Sequence, residues 1–408
     1  MVSDAVLQLS DLVYPFERQE LGSPSPIYDW LREHHPLARV RTAYGTDAWL
    51  VSGHKEVRAV LVDERFSAGT PTTAGIEAAE PEDDPAKALF NLDPPDHTRL
   101  RRVSAPFFTV SQVKSLRPRL ERIADGLVDA MVDSGAPADL VQAYVHPLVS
   151  GTLWEVLEVS EDLLPAFRAW ADELREIREP SWDPDPATNP VLINRIKLRR
   201  TMQALIAERR RNPGDDIVSK FLAARERGEI VDEPELIVQL TGMVLGGIEP
   251  TFNMMGLALL TTLSEPGLLR RMRDDPDTIG AAVEEMLRYH APTDIGFVRV
   301  AKTDVEIFDA HIKKGDVLIV ALASANRDAT VIPDAHRLDV TRTENPHVAF
   351  GYGRHHCLGA HLARLEIGTA LAVLARRLPG LRLAVPFESV PRRLALAQFG
   401  PEELTVTW

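Results

Sequence analysis

A chain of 408 residues with 45% apolar and 26% charged side chains can bury a large core, which excludes an intrinsically disordered protein. Its 60 acidic residues outnumber 46 Lys and Arg, and the resulting net charge of −14 argues against general affinity for nucleic acid or acidic membranes. The single cysteine, Cys357, excludes an internal disulfide and fits a reducing cytosol.

The first basic residue is Arg18, so the N-terminus lacks the charged start of a secretory signal, and no apolar run approaches the roughly 18 residues of a membrane span. A soluble, cytoplasmic protein is expected. Length alone favours two or three domains. No Gly/Ser, Pro-repeat or charge-block linker interrupts the chain, however, so one unit over 1–408 is expected, β-rich near 36–66 and 295–345 and helical elsewhere.

Ser25 to His35 reads as a short helix, and Ala48-Trp49-Leu50-Val51, between Gly45 and Gly53, as a strand. Residues 67–92 hold Pro, Ala, Glu and Asp without a period and read as a long surface loop, a type that is usually functional. From Asp96 to Leu287 apolar residues recur three and four apart, as in Leu100, Val103 and Phe107 or Leu120, Ile123, Leu127 and Met131, so the middle is helical. A second irregular stretch runs from Arg178 to Pro190.

The spacing predicts a helix from Leu236 to Leu263, about 40 Å long at 1.5 Å per residue, buried through the core and too polar to span a membrane. Its centre, Leu245-Gly-Gly-Ile-Glu-Pro-Thr-Phe-Asn253, places two glycines and a proline mid-helix, where proline alone costs about 3 kcal/mol. Strain of this kind often marks function. Strand-like alternation returns around Val298-Arg299-Val300, Val305-Glu306-Ile307 and Val317-Leu318-Ile319-Val320. The fold class is mainly α with a smaller β-rich region.

Cys357 lies in Phe350-Gly-Tyr-Gly-Arg-His-His-Cys-Leu-Gly359, a Gly-rich turn leading into a helix with Leu358, Leu362, Leu365 and Leu371 on one face. Three glycines allow close backbone approach, and the helix start directs its positive end at the sulfur. Both features favour a thiolate, hence a metal ligand or a nucleophile rather than a buried structural cysteine. Zinc is disfavoured, because about four converging ligands are needed and His355 and His356 are adjacent.

This string resembles the haem-ligand loop of the cytochrome P450 superfamily, in its soluble bacterial, actinobacterial-like form. The resemblance implies a P450 fold with haem b (iron protoporphyrin IX) between the long central helix and the Cys loop. It implies Cys357 as the axial thiolate, which favours O–O cleavage, with Phe350 beside it and Gly351, Gly353 and Gly359 permitting the turn and the close haem approach. Asp93-Pro-Pro-Asp-His-Thr-Arg-Leu-Arg-Arg102 is similar to a family string in which His97 and Arg101 meet the haem propionates, and Arg299 and His355 match two further propionate positions. Arg suits a carboxylate through its planar fork.

Glu285 and Arg288 stand three apart, able to pair on one helix face, and resemble the family's Glu-x-x-Arg motif. Arg337 falls where the third, structural partner would be. The central helix resembles the oxygen-activating groove through Gly246, Gly247 and Glu249, but Pro250 occupies the position of the proton-delivering Thr, and Thr251 is about 100° further round. Proline has no N–H, so the carbonyl of Gly246, with Glu249 and ordered water, is expected to organise protons instead. Family position further suggests Met243, Val244, Gly247, Ile295, Phe297 and Phe399 as the substrate pocket.

The implied function is monooxygenation of a small apolar organic molecule by a cytoplasmic enzyme. The missing Thr leaves open atypical oxidation, such as aromatic ether O-dealkylation or peroxide-driven chemistry, and a non-catalytic haem-binding protein. A Cys/His hydrolase built on Cys357 would contain no haem. His97 to Arg119 holds five Arg and one Lys with no acid, and Gly351 to Gly380 four Arg against Glu366. These segments suggest a basic docking patch for an acidic electron carrier, in the family a ferredoxin or flavodoxin-like protein supplied with its reductase.

Overall fold

The computed structural model describes residues 9, 12–18, 23–43, 45–69, 87–177, 187–290, 297–393 and 399–408. The helices in chain order are α1 (Ile27–His34), α2 (His54–Val62), α3 (Asp96–Ser104), α4 (Val110–Ser134), α5 (His146–Val156), α6 (Leu164–Glu176), α7 (Pro190–Arg211) and α8 (Ile217–Glu226). They continue with α9 (Glu233–Ser264), α10 (Leu268–Asp274), α11 (Thr278–His290), α12 (Leu322–Ala325) and α13 (Ala360–Arg377). The strands that matter to the site are β1 (Val13–Tyr14), β2 (Leu37–Thr42), β3 (Asp47–Val51), β4 (Phe66–Ser67), β5 (Ala138–Asp139), β6 (Phe297–Ala301), β7 (Val305–Ile307), β8 (Ala310–Ile312) and β9 (Val317–Val320).

A six-stranded sheet in the order β1-β2-β3-β9-β6-β4 joins the two β-rich regions, because β3 pairs in parallel with β9, Leu50 opposite Ile319. β6 runs antiparallel to β9 with Arg299 opposite Leu318, so the strand carrying Arg299 is held between two neighbours. Alternation along β6 puts Phe297, Arg299 and Ala301 on one face. The expected β region of 295–345 is shorter than the sequence suggested: its strands end at Val320, and α12 followed by irregular chain leads to the Cys357 loop.

α9 is the longest helix, 32 residues or about 48 Å. Asp232 caps it by accepting from the Glu235 amide at 2.8 Å, and Pro234 sits in the first turn, where no N–H is missed. The helix stays continuous through Gly246, Gly247 and Pro250. Those three residues cost about 5 kcal/mol in propensity. The buried Leu, Ile, Phe and Met side chains of the same helix each return about 1.5–3 kcal/mol, so tertiary burial decides.

By length and mean hydropathy α9 could cross a membrane, which corrects the reading that it is too polar; 67% of its apolar window is buried inside the protein, so that surface is already covered. Around it lie two large clusters of buried side chains, one with α4, α5, α10, α11 and α13 and one with α5 to α8.

The predicted strand at 48–51 is β3, and the predicted helix at 25–35 is α1. Of the irregular stretches at 67–92 and 178–190, residues 70–86 and 178–186 lie outside the described residues, as does Ile295. Residues 89–91 form a 3-10 turn. Leu358 sits in the turn ahead of α13 rather than on its face, while Leu362, Leu365 and Leu371 are buried.

Candidate haem site

The Cys357 loop is a set of backbone turns. The Gly351 amide donates to the Val348 carbonyl at 2.9 Å and the Cys357 amide to the Phe350 carbonyl at 2.9 Å. Gly351 and Gly353 adopt φ of +71° and +75°, the left-handed region that an L side chain rarely enters. A Cβ on Gly353 would lie 2.9 Å from Val62 Cγ1 and 3.4 Å from the Leu61 carbonyl oxygen, so α2 presses directly on the loop. Arg58 of α2 stacks on the Tyr352 ring, its carbon Cζ 4.1 Å from the centroid, and donates to the Tyr352 hydroxyl.

A Cβ built on Gly246 of α9 or on Gly359 beyond Cys357 would meet nothing within 4 Å. The missing side chains therefore leave open space rather than admitting another part of the protein.

Cys357 is exposed to that space. Protein crowding on its other sides pushes the thiol pKa up, and the Gly359 amide, Arg101 and Arg364 only partly pull it back. In the bare thiol, burial thus opposes the thiolate that the loop amide and the arginines favour. Cys357 would ligate the haem iron, and that coordination would displace the thiol proton. Arg364, on the first turns of α13, lies with Cζ 4.5 Å from the Phe350 centroid and binds Glu284 through Nε at 2.5 Å and Nη2 at 2.9 Å. His347 Nε2 lies 3.0 Å from the same carboxylate.

His97, Arg101, Arg299 and His355 come together as expected. The rings of His97 and His355 are 4.2 Å apart. His97 Nε2 and His355 Nδ1 are buried without a hydrogen-bond partner. Burial, then the positive field of His97 and Arg299, depresses the His355 pKa to about 3. Burial, then Arg101 and Arg354, lowers that of His97. Arg299 is 4% exposed and donates from Nη1 to the Val298 carbonyl at 2.8 Å.

Asp93 is the acid near this cluster, and its carboxylate is engaged by Ser67 and by the Ala68 amide at 3.0 Å. Unpaired buried donors are costly. Two arginines beside two uncharged imidazoles with orphaned nitrogens fit a dianionic ligand edge such as the two propionates of haem, with Cys357 at hand for the iron.

Along α9, Gly246 and Pro250 are exposed and four apart, hence on one face, whereas Thr251 is 7% exposed and turned into the protein. Asn253 donates its side-chain amide to the Glu249 carbonyl at 2.9 Å. Met243 is half-buried against the second cluster.

Three of the pocket residues suggested by family position are placed elsewhere. Val244 is 1% exposed and belongs to the core of the second cluster. Gly247 abuts Leu153 of α5, where an added Cβ would lie 3.0 Å from Leu153 Cδ2, so its smallness serves helix packing. Phe399 is 2% exposed beneath Arg18, whose Cζ lies 3.3 Å from the ring centre. Phe297 is 45% exposed and shares the face of Arg299, consistent with a cleft wall.

The Glu285–Arg288 pair is wholly buried and bidentate, at 2.7 and 2.8 Å. Arg288 also donates to the carbonyls of Asn326, Ala335 and Arg337 at 2.9, 2.6 and 3.0 Å. The third side chain is not that of Arg337, which is exposed and supplies only its carbonyl. Arg342 holds that place, with Nε 3.3 Å from the Glu285 carboxylate.

The two basic segments are largely quenched. Arg99 pairs with Glu235 and Asp96, Arg119 with Glu155, Arg354 with Glu64, Arg364 with Glu284, and Arg376 and Arg377 with Asp125. A docking field is therefore weaker than a residue count implies. Glu366, counted there against four arginines, is buried on α13, and burial raises its pKa well above the usual range although Thr152 hydrogen-bonds it. It stands four after Leu362 and so on that residue's buried face, the signal by which sequence reasoning could have found it. Arg364 and Glu284 carried no such signal, because their meeting joins helices 80 positions apart.

Comparison with known proteins agrees with this geometry. A family model described as Cytochrome P450 matches residues 22–379. The chain is 38% identical over 401 residues to Nocardicin C N-oxygenase of Nocardia uniformis subsp. tsuyamanensis, covering 97% of this chain and 98% of that protein. It is 36% identical over 408 residues to Mycinamicin IV hydroxylase/epoxidase of Micromonospora griseorubida, covering 97% and 98%. Among solved structures, the cytochrome P450 hydroxylase from the leinamycin biosynthetic pathway of Streptomyces atroolivaceus superposes with a TM-score of 0.85 at 33% identity, covering 97% of this chain and 100% of that one. Matches of this extent displace the hydrolase reading, and the chain is a haem-dependent monooxygenase belonging to the cytochrome P450 family.

Proposed function

We propose that this chain, folded as a single unit in the cytoplasm, inserts one oxygen atom from dioxygen into a small, largely apolar organic substrate held between α9 and the Cys357 loop. Electrons would come from a separate ferredoxin or flavodoxin-like protein with its reductase. When bound, the haem iron supplies the oxygen chemistry. The observation that carries the reading is the cluster of His97, Arg101, Arg299 and His355, with two buried ring nitrogens lacking partners, beside the exposed Cys357. Arg101 and Arg299 would hold the propionates, His97 Nε2 and His355 Nδ1 would complete their hydrogen bonds, and Cys357 would ligate the iron. Arg364 and Phe350 would position that sulfur from the other side.

Pro250 sets the proton path apart from that of family members with Thr at this position. Lacking an N–H, it leaves the Gly246 carbonyl without its helical donor on the exposed face that both residues share. Water held by that carbonyl and the Glu249 carboxylate would carry protons to the cleft, a task the buried Thr251 hydroxyl is poorly turned to perform. A substrate that brings its own donor group to the same carbonyl is the second reading the proline favours, and it would suit N-oxygenation or ether dealkylation as well as hydroxylation.

Two measurements test this. Carbon monoxide added to the reduced protein should give the red-displaced band of a thiolate-ligated haem, and its absence would end the proposal. Pro250→Thr should change the fraction of consumed electrons that appears in product; an unchanged fraction would rule out a proton path organised by the proline.

A further inference from the structure

The segment that leads into α3 carries a large aromatic side chain held in the open. Leu89 and Leu92 pack into the second core cluster, while Phe90 between them is 53% exposed. Burying the neighbours on both sides forces the middle residue of the turn outward. Its position is not open-ended: a Cβ on Gly242 would lie 3.8 Å from Phe90 Cε1, so the ring edge rests on α9 where that helix has no side chain. Gly242, Gly246 and Pro250 follow one another at four-residue steps, about 6 Å each, along the side of α9 that opens to the cleft.

One buried side chain fixes this turn to α9. Gln239 is 2% exposed, and its amide is used at both ends: Nε2 donates to the Lys87 carbonyl at 2.6 Å and Oε1 accepts from the Leu89 amide at 3.0 Å. Its planar amide offers a donor and an acceptor at the right separation to read a carbonyl and an amide two residues apart. The glutamine precedes Gly242 by three residues, slightly less than one turn, so the clamp and the ring contact fall on adjacent turns of α9.

We propose that Gln239 is a positioning residue that sets the pose of Phe90, and that Phe90 is the aromatic wall selecting substrates that extend a planar, apolar ring system along α9, about one helical turn from Gly246. The inference rests on the haem-monooxygenase reading for the location of the cleft. Phe90 offers the substrate a face or edge; Gln239 touches no substrate and acts only through residues 87–90.

The test uses the haem-loaded full-length protein and two azole probes followed by the shift of the haem absorption band, imidazole and biphenylmethyl-imidazole. Phe90→Ala is expected to weaken the biphenyl probe roughly three- to ten-fold, the worth of one aromatic contact, and to leave imidazole within about two-fold. Gln239→Leu, close in volume but without either hydrogen bond, should produce the same selective loss with the carbon monoxide band intact. The double variant should bind the biphenyl probe no more weakly than Phe90→Ala alone. Gln239→Met keeps the length and loses both hydrogen bonds, so it should show the same selective loss, and it replaces Gln239→Leu should the latter fail to fold.

Losses that multiply in the double variant, equal loss of imidazole, or no change in Gln239→Leu and Gln239→Met would overturn the clamp. A wild-type protein that binds imidazole but not the biphenyl probe would overturn the wall. If the purified protein carries no haem absorption band to follow, the haem reading itself fails, a result distinct from all of these.

Discussion

The substitution series Arg288→Leu, Arg342→Ala and Arg337→Ala separates a motif read by position from a network built in space. Arg288 is 0% exposed and neutralises Glu285, also 0% exposed, while satisfying three carbonyls. Removing it strands a buried carboxylate, at about 3–5 kcal/mol, and leaves three acceptors unpaired at about 1–3 kcal/mol each. The glutamate keeps donors in the Asp339 amide at 2.7 Å and Asn345 at 3.0 Å, and these effects do not simply add, so about 6–10 kcal/mol is the working figure. A domain has about 5–15 kcal/mol in total, and Arg288→Leu is expected not to accumulate as haem-loaded protein.

Arg342→Ala loses a 3.3 Å contact to Glu285 and a 2.8 Å bond to the Pro333 carbonyl, about 1–2 kcal/mol. Arg337→Ala keeps the carbonyl that Arg288 uses and should stay within about 0.5 kcal/mol of the parent. Guanidinium titration of the three proteins, followed at the haem absorption band, gives the order. A midpoint for Arg337→Ala as low as that of Arg342→Ala would refute the assignment of the third partner.

Two further outcomes follow from the same structure. Gly353→Ala must hold φ near +75° and push its methyl into Val62 Cγ1 at 2.9 Å, so α2 or the loop has to move, and a drop in the thiolate-type carbon monoxide band with about 1–2 kcal/mol of lost stability is expected; an unchanged band would show that the loop tolerates a side chain there. Burial pushes Glu284 up, yet His347 and Arg364 outweigh it and lower its pKa from 4.5 to about 2. Its contribution is thus present above about pH 4.5 and lost as the pH falls toward 2. Allowing for its partial exposure, Glu284→Gln should remove about 2 kcal/mol of the acid-dependent stability between pH 5 and 2, and parallel acid-denaturation curves for parent and variant would contradict this.

Much of the site was legible because its chemistry is local. The turn around Cys357 needs glycine where φ is positive, and such a need is written within ten residues whatever surrounds them. Glu285 and Arg288 are three apart on one helix and meet in almost any context. His97, Arg101, Arg299 and His355 were identified through their strings, since each lies on a short segment whose own motif carries the resemblance.

What the sequence could not state is which face of a helix meets which neighbour. Val244, Gly247 and Phe399 sit at positions that family pattern associates with the pocket, yet Leu153, the second cluster and Arg18 cover them. Arg342 rather than Arg337 reaches Glu285, because that contact joins positions 57 apart. The sign of the Cys357 shift was also a tertiary result: helix end and loop amides are local, while desolvation is imposed by everything packed behind the sulfur.

Read alone, the residues determined the kind of cofactor loop, the mainly helical fold and the replacement of threonine by Pro250. The packed chain decided which of those residues face open space, because burial and long-range charge pairing are properties of neighbours that only folding brings together.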